Sequence, residues 1–166
     1  MSTNIKKVGN SDELANVAAL ANQIWHECFQ GIITLAQIDY MVEKYQSYNA
    51  MISQVKTQNY AYFAVYDNDE LIGYFAVKPE SDSRFFLSKL YLRDDKRGRG
   101  IARLMFDRIV SEARCAGKNT VYLTVNKHND HAVAVYKKFG FKIIDSPVTD
   151  IGGGFVMDDF VMEYKL

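Results

Sequence analysis

The chain has 166 residues, 48% of them apolar and 13% aromatic, enough to bury a core and too many for a disordered chain. Twenty Lys plus Arg balance twenty Asp plus Glu, so the formal net charge is zero and a whole-surface attraction to nucleic acid or anionic membrane is excluded. Cys28 and Cys115 supply neither a disulfide framework nor a C-x-x-C metal motif, the amino terminus lacks a secretion signal, and no stretch approaches a membrane span. One domain over residues 1–166, cytoplasmic and reduced, is the expectation.

Residues 11–29 predict an amphipathic helix, with Leu14, Val17, Ala18, Ala21, Ile24, Trp25 and Cys28 on one face and Asn10 or Ser11 as cap. Gln30-Gly31 breaks it. Thr34 followed by Gln37 fits a capping box, and Leu35, Ile38, Met41, Val42 and Tyr45 then recur helically. Ser47 starts a short third helix through Met51, Ile52 and Val55. The period then changes. Tyr60–Tyr66 and Leu71–Val77 read as strands of a hairpin around a four-residue polar loop, Asp67 to Glu70, and Phe85–Leu92 as a third strand. After RDDKRGRG comes a second long amphipathic helix, with Ala102, Met105, Phe106, Ile109, Val110 and Ala113 inward and Gly117 as its carboxy-terminal cap. Thr120–Val125 is a strand and Asp130–Phe139 a helix stopped by Gly140. Phe141–Ile144 and Phe160–Tyr164 close the chain as strands. Strands joined by helical crossovers after a hairpin imply an α/β (α+β) fold, a mixed sheet with helices on its faces.

The most informative segment is Arg97-Gly98-Arg99-Gly100-Ile101-Ala102-Arg103, between a strand and a helix. Unpaired N–H groups and the helix dipole make an anion site there, and glycines let phosphate oxygens approach the backbone. Lys96, Arg97, Arg99 and Arg103 concentrate positive charge on an otherwise neutral chain. The alternative is a solvated charge run with glycines for turn geometry. No Gly-Lys-Ser/Thr follows, so the loop is not a P-loop, and Arg103 replaces the third glycine of a dinucleotide fingerprint.

This R-x-x-G-x-A after a strand, followed at the usual distance by Asn129-x-x-Ala132-x-x-x-Tyr136 and Phe139-Gly140-Phe141, resembles the GNAT superfamily of N-acetyltransferases. The resemblance covers roughly residues 60–144; the ending from Gly152 to Met162 also looks like the family's closing hairpin, and the pattern is weakly similar to bacterial polyamine acetyltransferases. It implies a largely antiparallel central sheet with a splayed strand pair. It implies acetyl-CoA as cosubstrate, its pyrophosphate wrapped by Arg97, Gly98, Arg99, Gly100, Ile101, Ala102 and Arg103. Leu90, Tyr91 and Leu92 would pair with the pantetheine arm, Asn129 would bond that arm, and Lys138 would approach the nucleotide. Tyr136 matches the general acid that protonates the departing thiolate, although core packing is its alternative. A backbone N–H near Leu92 would stabilise the oxyanion. Ser88 and Lys89 stand where members carry an acid, which leaves the base open. Glu27, Asp39, Glu43 and the Asp158-Asp159 pair qualify by charge alone and read as solvated surface acids.

The acceptor implied is a small-molecule primary amine such as a polyamine, attacked directly in a ternary complex. The family would place its pocket between the first two helices, the strand edge at Ser88 to Leu90 and the last hairpin. Alternatives are acetylation of a protein amino terminus or lysine, and a non-catalytic acyl-CoA sensor. A homodimer is admitted by analogy alone. His128 and His131, three apart beside Asp130, lack a further metal ligand of fitting spacing and read as a polar helix start. Trp25 and His26 could line a pocket, yet Trp25 has core spacing; Cys28 and Cys115 read as small buried residues.

Overall fold

The structure, a computed structural model, describes residues 2–166. Fifteen elements follow in order: β1 (Thr3–Lys7), α1 (Ser11–Cys28), α2 (Leu35–Met41), a π-helical turn (Val42–Gln46), α3 (Tyr48–Thr57), β2 (Ala61–Asp67), β3 (Glu70–Pro79), β4 (Arg84–Leu92), a 3-10 turn (Asp94–Lys96), α4 (Ile101–Cys115), β5 (Thr120–Asn126), α5 (Asp130–Phe139), β6 (Lys142–Asp145), β7 (Val148–Gly152) and β8 (Phe155–Lys165). The strands form a mixed, mostly antiparallel eight-stranded sheet in the order β1-β2-β3-β4-β5-β8-β6, with β7 also paired to β8. The α/β fold class expected from the sequence is the one observed. No helix among the described residues is long and apolar enough to cross a membrane.

Two compact units divide the chain, residues 1–78 with 87–109 and residues 79–86 with 110–166. In the first, helix starts follow the predicted caps. Asn10 Oδ1 accepts from Glu13 N at 2.9 Å, Thr34 Oγ1 from Gln37 N at 3.1 Å and Ser47 Oγ from Ala50 N at 3.2 Å. Leu14, Val17, Leu20, Ala21 and Ile24 of α1 and Met51 of α3 pack on Tyr62, Ala64, Tyr74 and Ala76. The register sets each tyrosine beside an alanine, Tyr62↔Ala76 and Ala64↔Tyr74, so large and small side chains interlock. Each large side chain sealed in this layer contributes about 1.5–3 kcal/mol. Phe63 and Phe75 stack on the opposite face, centroids 4.7 Å apart.

Three local expectations change. The hairpin loop is two residues, because Asp67 pairs with Glu70 and Asn68 takes the left-handed conformation (φ 55) that tightens it. β1 arises from a polar segment that pairs antiparallel with β2, Thr3↔Asp67 through Lys7↔Phe63. Phe141 precedes β6 instead of opening it.

In the second unit, β5 pairs parallel with Arg84–Phe86 of β4 and antiparallel with β8, from Thr120↔Lys165 to Asn126↔Asp159. Tyr136 of α5, Phe141 and Tyr164 make an aromatic ladder with centroid spacings of 5.7 and 5.6 Å. Gly140 ends α5 with φ +108 as predicted. Cys115 is exposed, contrary to expectation, whereas Cys28 is half-buried.

Candidate active site

Beyond β4 the 3-10 turn closes with Lys96 N–H on Arg93 O at 3.0 Å. Gly98 (φ +77) and Gly100 (φ +78) then sit in the left-handed region, which L side chains rarely adopt. A Cβ built on either glycine meets nothing within 4 Å, so the protein leaves the space before this backbone open. The first ladder bond of α4 runs from Leu104 N–H to Gly100 O at 3.2 Å. The amides of Gly100, Ile101 and Ala102 therefore precede the ladder, where an anion can take them.

The basic residues behave differently from the sequence expectation. Lys96 bridges Asp67 at 3.2 Å and Glu70 at 3.4 Å; Arg97 pairs with Asp94 at 3.0 Å and donates to Cys28 Sγ at 3.2 Å; Arg103 pairs with Asp107 at 3.1 Å. Their charge is offset locally, and they act as struts for the turn. Arg99 is exposed. The pull on an anion thus rests mainly on backbone amides and the helix dipole.

Leu90 and Tyr91 are half-buried and Leu92 is buried. A Cβ on Gly73 of β3 would lie 2.7 Å from Tyr91 O, so the glycine is what lets the two strands approach at this point. Tyr91 contacts Tyr74 (5.5 Å), Trp25 (5.6 Å) and Phe29 (6.5 Å). Trp25 is 4% exposed and is a core residue, as its spacing indicated. Among the described residues, the pairing of β4 with β5 covers only Arg84–Phe86 and Thr120–Tyr122.

In the second unit Asn129 caps α5, its Oδ1 accepting from Ala132 N at 3.2 Å. This commits the side-chain oxygen and leaves the amide NH2 as its possible ligand donor. Tyr136 is half-buried against Phe141, and desolvation raises its phenol well above the ordinary tyrosine range, so it holds its proton at neutral pH. Lys138 is exposed in the last turn of α5.

Of the acids, Glu27 is exposed and accepts from Gln23 Nε2 at 3.1 Å, Glu43 is exposed, and Asp39 holds His26 Nε2 at 2.7 Å. With Asn22 O at its other nitrogen, His26 has acceptors on both sides, which raises its pKa. Asp158 pairs with Lys127 at 2.6 Å. Asp159 departs from expectation: it is 8% exposed, and desolvation followed by the neighbouring Asp158 raises its carboxyl to about 6. Lys89 is 4% exposed. Its Nζ donates to Tyr45 O, to Gln54 Oε1 at 2.9 Å and to the Tyr62 hydroxyl at 2.5 Å. The period-two register of Phe85, Leu87 and Lys89 was the sequence signal for this burial.

A model of the acetyltransferase (GNAT) family matches residues 20–141. The chain belongs to the GNAT family. This GNAT chain is 33% identical over 90 residues to the peptidyl-lysine N-acetyltransferase YjaB of Salmonella typhimurium, covering 54% of this chain and 55% of that protein. It spans about half the length of the curated relatives it matches. Among solved folds it is similar to the PaiA N-acetyltransferase of Thermoplasma acidophilum in complex with coenzyme A, with TM-score 0.84, 22% identity and full coverage of both chains. It is also similar to a GCN5-related N-acetyltransferase from Rhodopseudomonas palustris, with TM-score 0.83, 13% identity, and 100% and 97% coverage.

Proposed function

We propose that this GNAT chain works as a single acetyltransferase domain, moving the acetyl group of acetyl-CoA to a primary amine by direct attack. The observation that carries this reading is the open left-handed glycine loop at the head of α4, joined to the family assignment. A pyrophosphate needs several converging N–H donors and no intervening Cβ, and the segment from Gly98 to Ala102 offers both. The similar Thermoplasma fold was solved with coenzyme A, which supports the same ligand here.

Acetyl-CoA supplies the acetyl group as an activated thioester. The amides from Arg97 to Arg103 hold its diphosphate, and the β4 backbone at Leu90, Tyr91 and Leu92 bonds the amide-bearing arm as it would a peptide. Asn129 adds a donor to the arm, and Lys138 lies on the nucleotide side. Tyr136, protonated at neutral pH, gives its proton to the departing sulfur, while a backbone N–H near Leu92 stabilises charge on the carbonyl oxygen.

The acceptor we favour is a small-molecule amine such as a polyamine. A peptidyl lysine is the second reading, favoured by the 33% identity to the Salmonella enzyme. Thiol release from acetyl-CoA, measured against polyamines, amino sugars, amino acids and lysine peptides, tests both. Turnover with one class identifies the acceptor; tight acetyl-CoA binding with no turnover on any amine refutes the catalytic reading in favour of a sensor.

A further inference from the structure

Two side chains that are ordinarily charged at neutral pH are largely buried and perturbed by desolvation: Lys89 in the first unit and Asp159 in the second. Their surroundings differ in kind. Lys89 Nζ meets three oxygens from three elements, and Tyr62 O–H also donates to Gln54 Oε1 at 2.5 Å, so the burial of this amine is explained by its own cage. Asp159 has no such explanation. Its backbone N–H donates to Pro147 O at 3.2 Å, but its carboxylate accepts no hydrogen bond and joins no ion pair among the described residues. The cation that acts on it, Lys127, is paired with Asp158 at 2.6 Å. The residue is largely buried, yet its carboxylate oxygens are not sealed, so a ligand can reach a group that has no donor within the chain.

Its position favours a ligand as well. Asp159 lies opposite Asn126, the last residue of β5, three residues ahead of the Asn129 that caps α5. It is thus at the carboxyl end of a strand with a parallel neighbour, the end where ligands bind in parallel α/β arrangements. A ligand bound there would donate hydrogen bonds, and a cationic donor would do so most strongly.

We infer that the Asp159 carboxylate receives the acceptor's ammonium group and takes a proton from it. The inference rests on the amine-acetylating reading above. The ammonium transfers one proton to Asp159, and the freed nitrogen pair forms the N–C bond to the acetyl carbon as the C–S bond breaks. The sulfur keeps that bond's electron pair and takes the Tyr136 proton. The second nitrogen proton restores Tyr136, and Asp159 releases its own to solvent. One thioester and one ammonium thus give one amide, one thiol and one proton. The charged groups acting on Asp159 are Asp158, which disfavours its ionisation, and Lys127, which favours it. Desolvation dominates both, holding the carboxyl near 6, low enough to be ionised at neutral pH and high enough to accept a proton there.

The test uses the full chain with 13C-labelled aspartate, spermidine and a lysine peptide as probes, and the variants Asp159→Asn and Asp159→Glu. The Asp159 13Cγ signal should titrate near pH 6 and move when one of the amines is added. In Asp159→Asn, turnover should fall about 100-fold or more and the acid limb of the pH–rate profile should vanish, with acetyl-CoA affinity unchanged; Asp159→Glu should recover part of the rate. A 13Cγ signal that moves with neither amine, or an Asp159→Asn variant keeping more than a third of wild-type turnover, overturns the inference. Turnover unaffected by Asp159→Asn leaves the acetyltransferase reading standing without it. An amine-responsive signal with no turnover of either probe supports the ammonium site while counting against acetyl transfer to these amines.

Discussion

Lys89 makes stability depend on pH in a direction unusual for a lysine. Burial lowers its pKa from the ordinary 10.5 to about 7, with no carboxylate in ion-pair distance among the described residues to offset the cost. Between about pH 7 and 10.5 the unfolded chain binds the proton and the folded chain does not, so stability rises with pH across that window. Below it, the folded protein carries the full cost of a buried ammonium. One proton is worth about 1.4 kcal/mol per pH unit, so raising the pH from 7 to 9 should add roughly 2–3 kcal/mol. For a chain of this length that corresponds to a Tm increase of about 4–12 °C. Thermal melts of wild type and Lys89→Met at pH 7, 8 and 9 isolate the effect, since other titrating groups act equally on both. The wild-type Tm should climb relative to the variant. Parallel curves within 1 °C would show that Lys89 keeps an ordinary pKa and that its oxygen cage stabilises the ammonium after all.

Tyr136→Phe should lower kcat about 100-fold or more while acetyl-CoA affinity stays within twofold by calorimetry; near-normal turnover would remove Tyr136 from the acid role. Gly73→Ala places a Cβ 2.7 Å from Tyr91 O, a backbone atom that cannot swing aside, and should cost about 1–3 kcal/mol by urea denaturation. An unchanged midpoint would refute the close approach of β3 and β4. The Cβ introduced by Gly100→Val meets no protein atom within 4 Å, so the variant carries chiefly left-handed backbone strain, about 1–2 kcal/mol. Its acetyl-CoA affinity should fall at least tenfold, and wild-type affinity would refute the pyrophosphate cradle.

The sequence by itself determined those features whose cause is local. Asn10, Thr34 and Ser47 cap the helices predicted to begin there, because a short polar side chain competes for the first free amides wherever the chain turns helical. Gly98, Gly100 and Gly140 mark positions needing left-handed backbone, and the Arg97–Arg103 and Asn129–Tyr136 spacings carried the family resemblance that the family model then matched. Pairing and burial, by contrast, are properties of what lies across the sheet. β1 is a polar pentapeptide that becomes a strand only because β2 offers a hydrogen-bonding edge. The basic loop residues are struts because Asp67, Asp94 and Asp107 are folded beside them, and Cys115 is exposed despite its small apolar character. Asp158 and Asp159 are chemically identical neighbours in the chain. One is held by Lys127 and the other is buried without a partner, a difference set by tertiary packing because adjacent strand residues face opposite sides of a sheet.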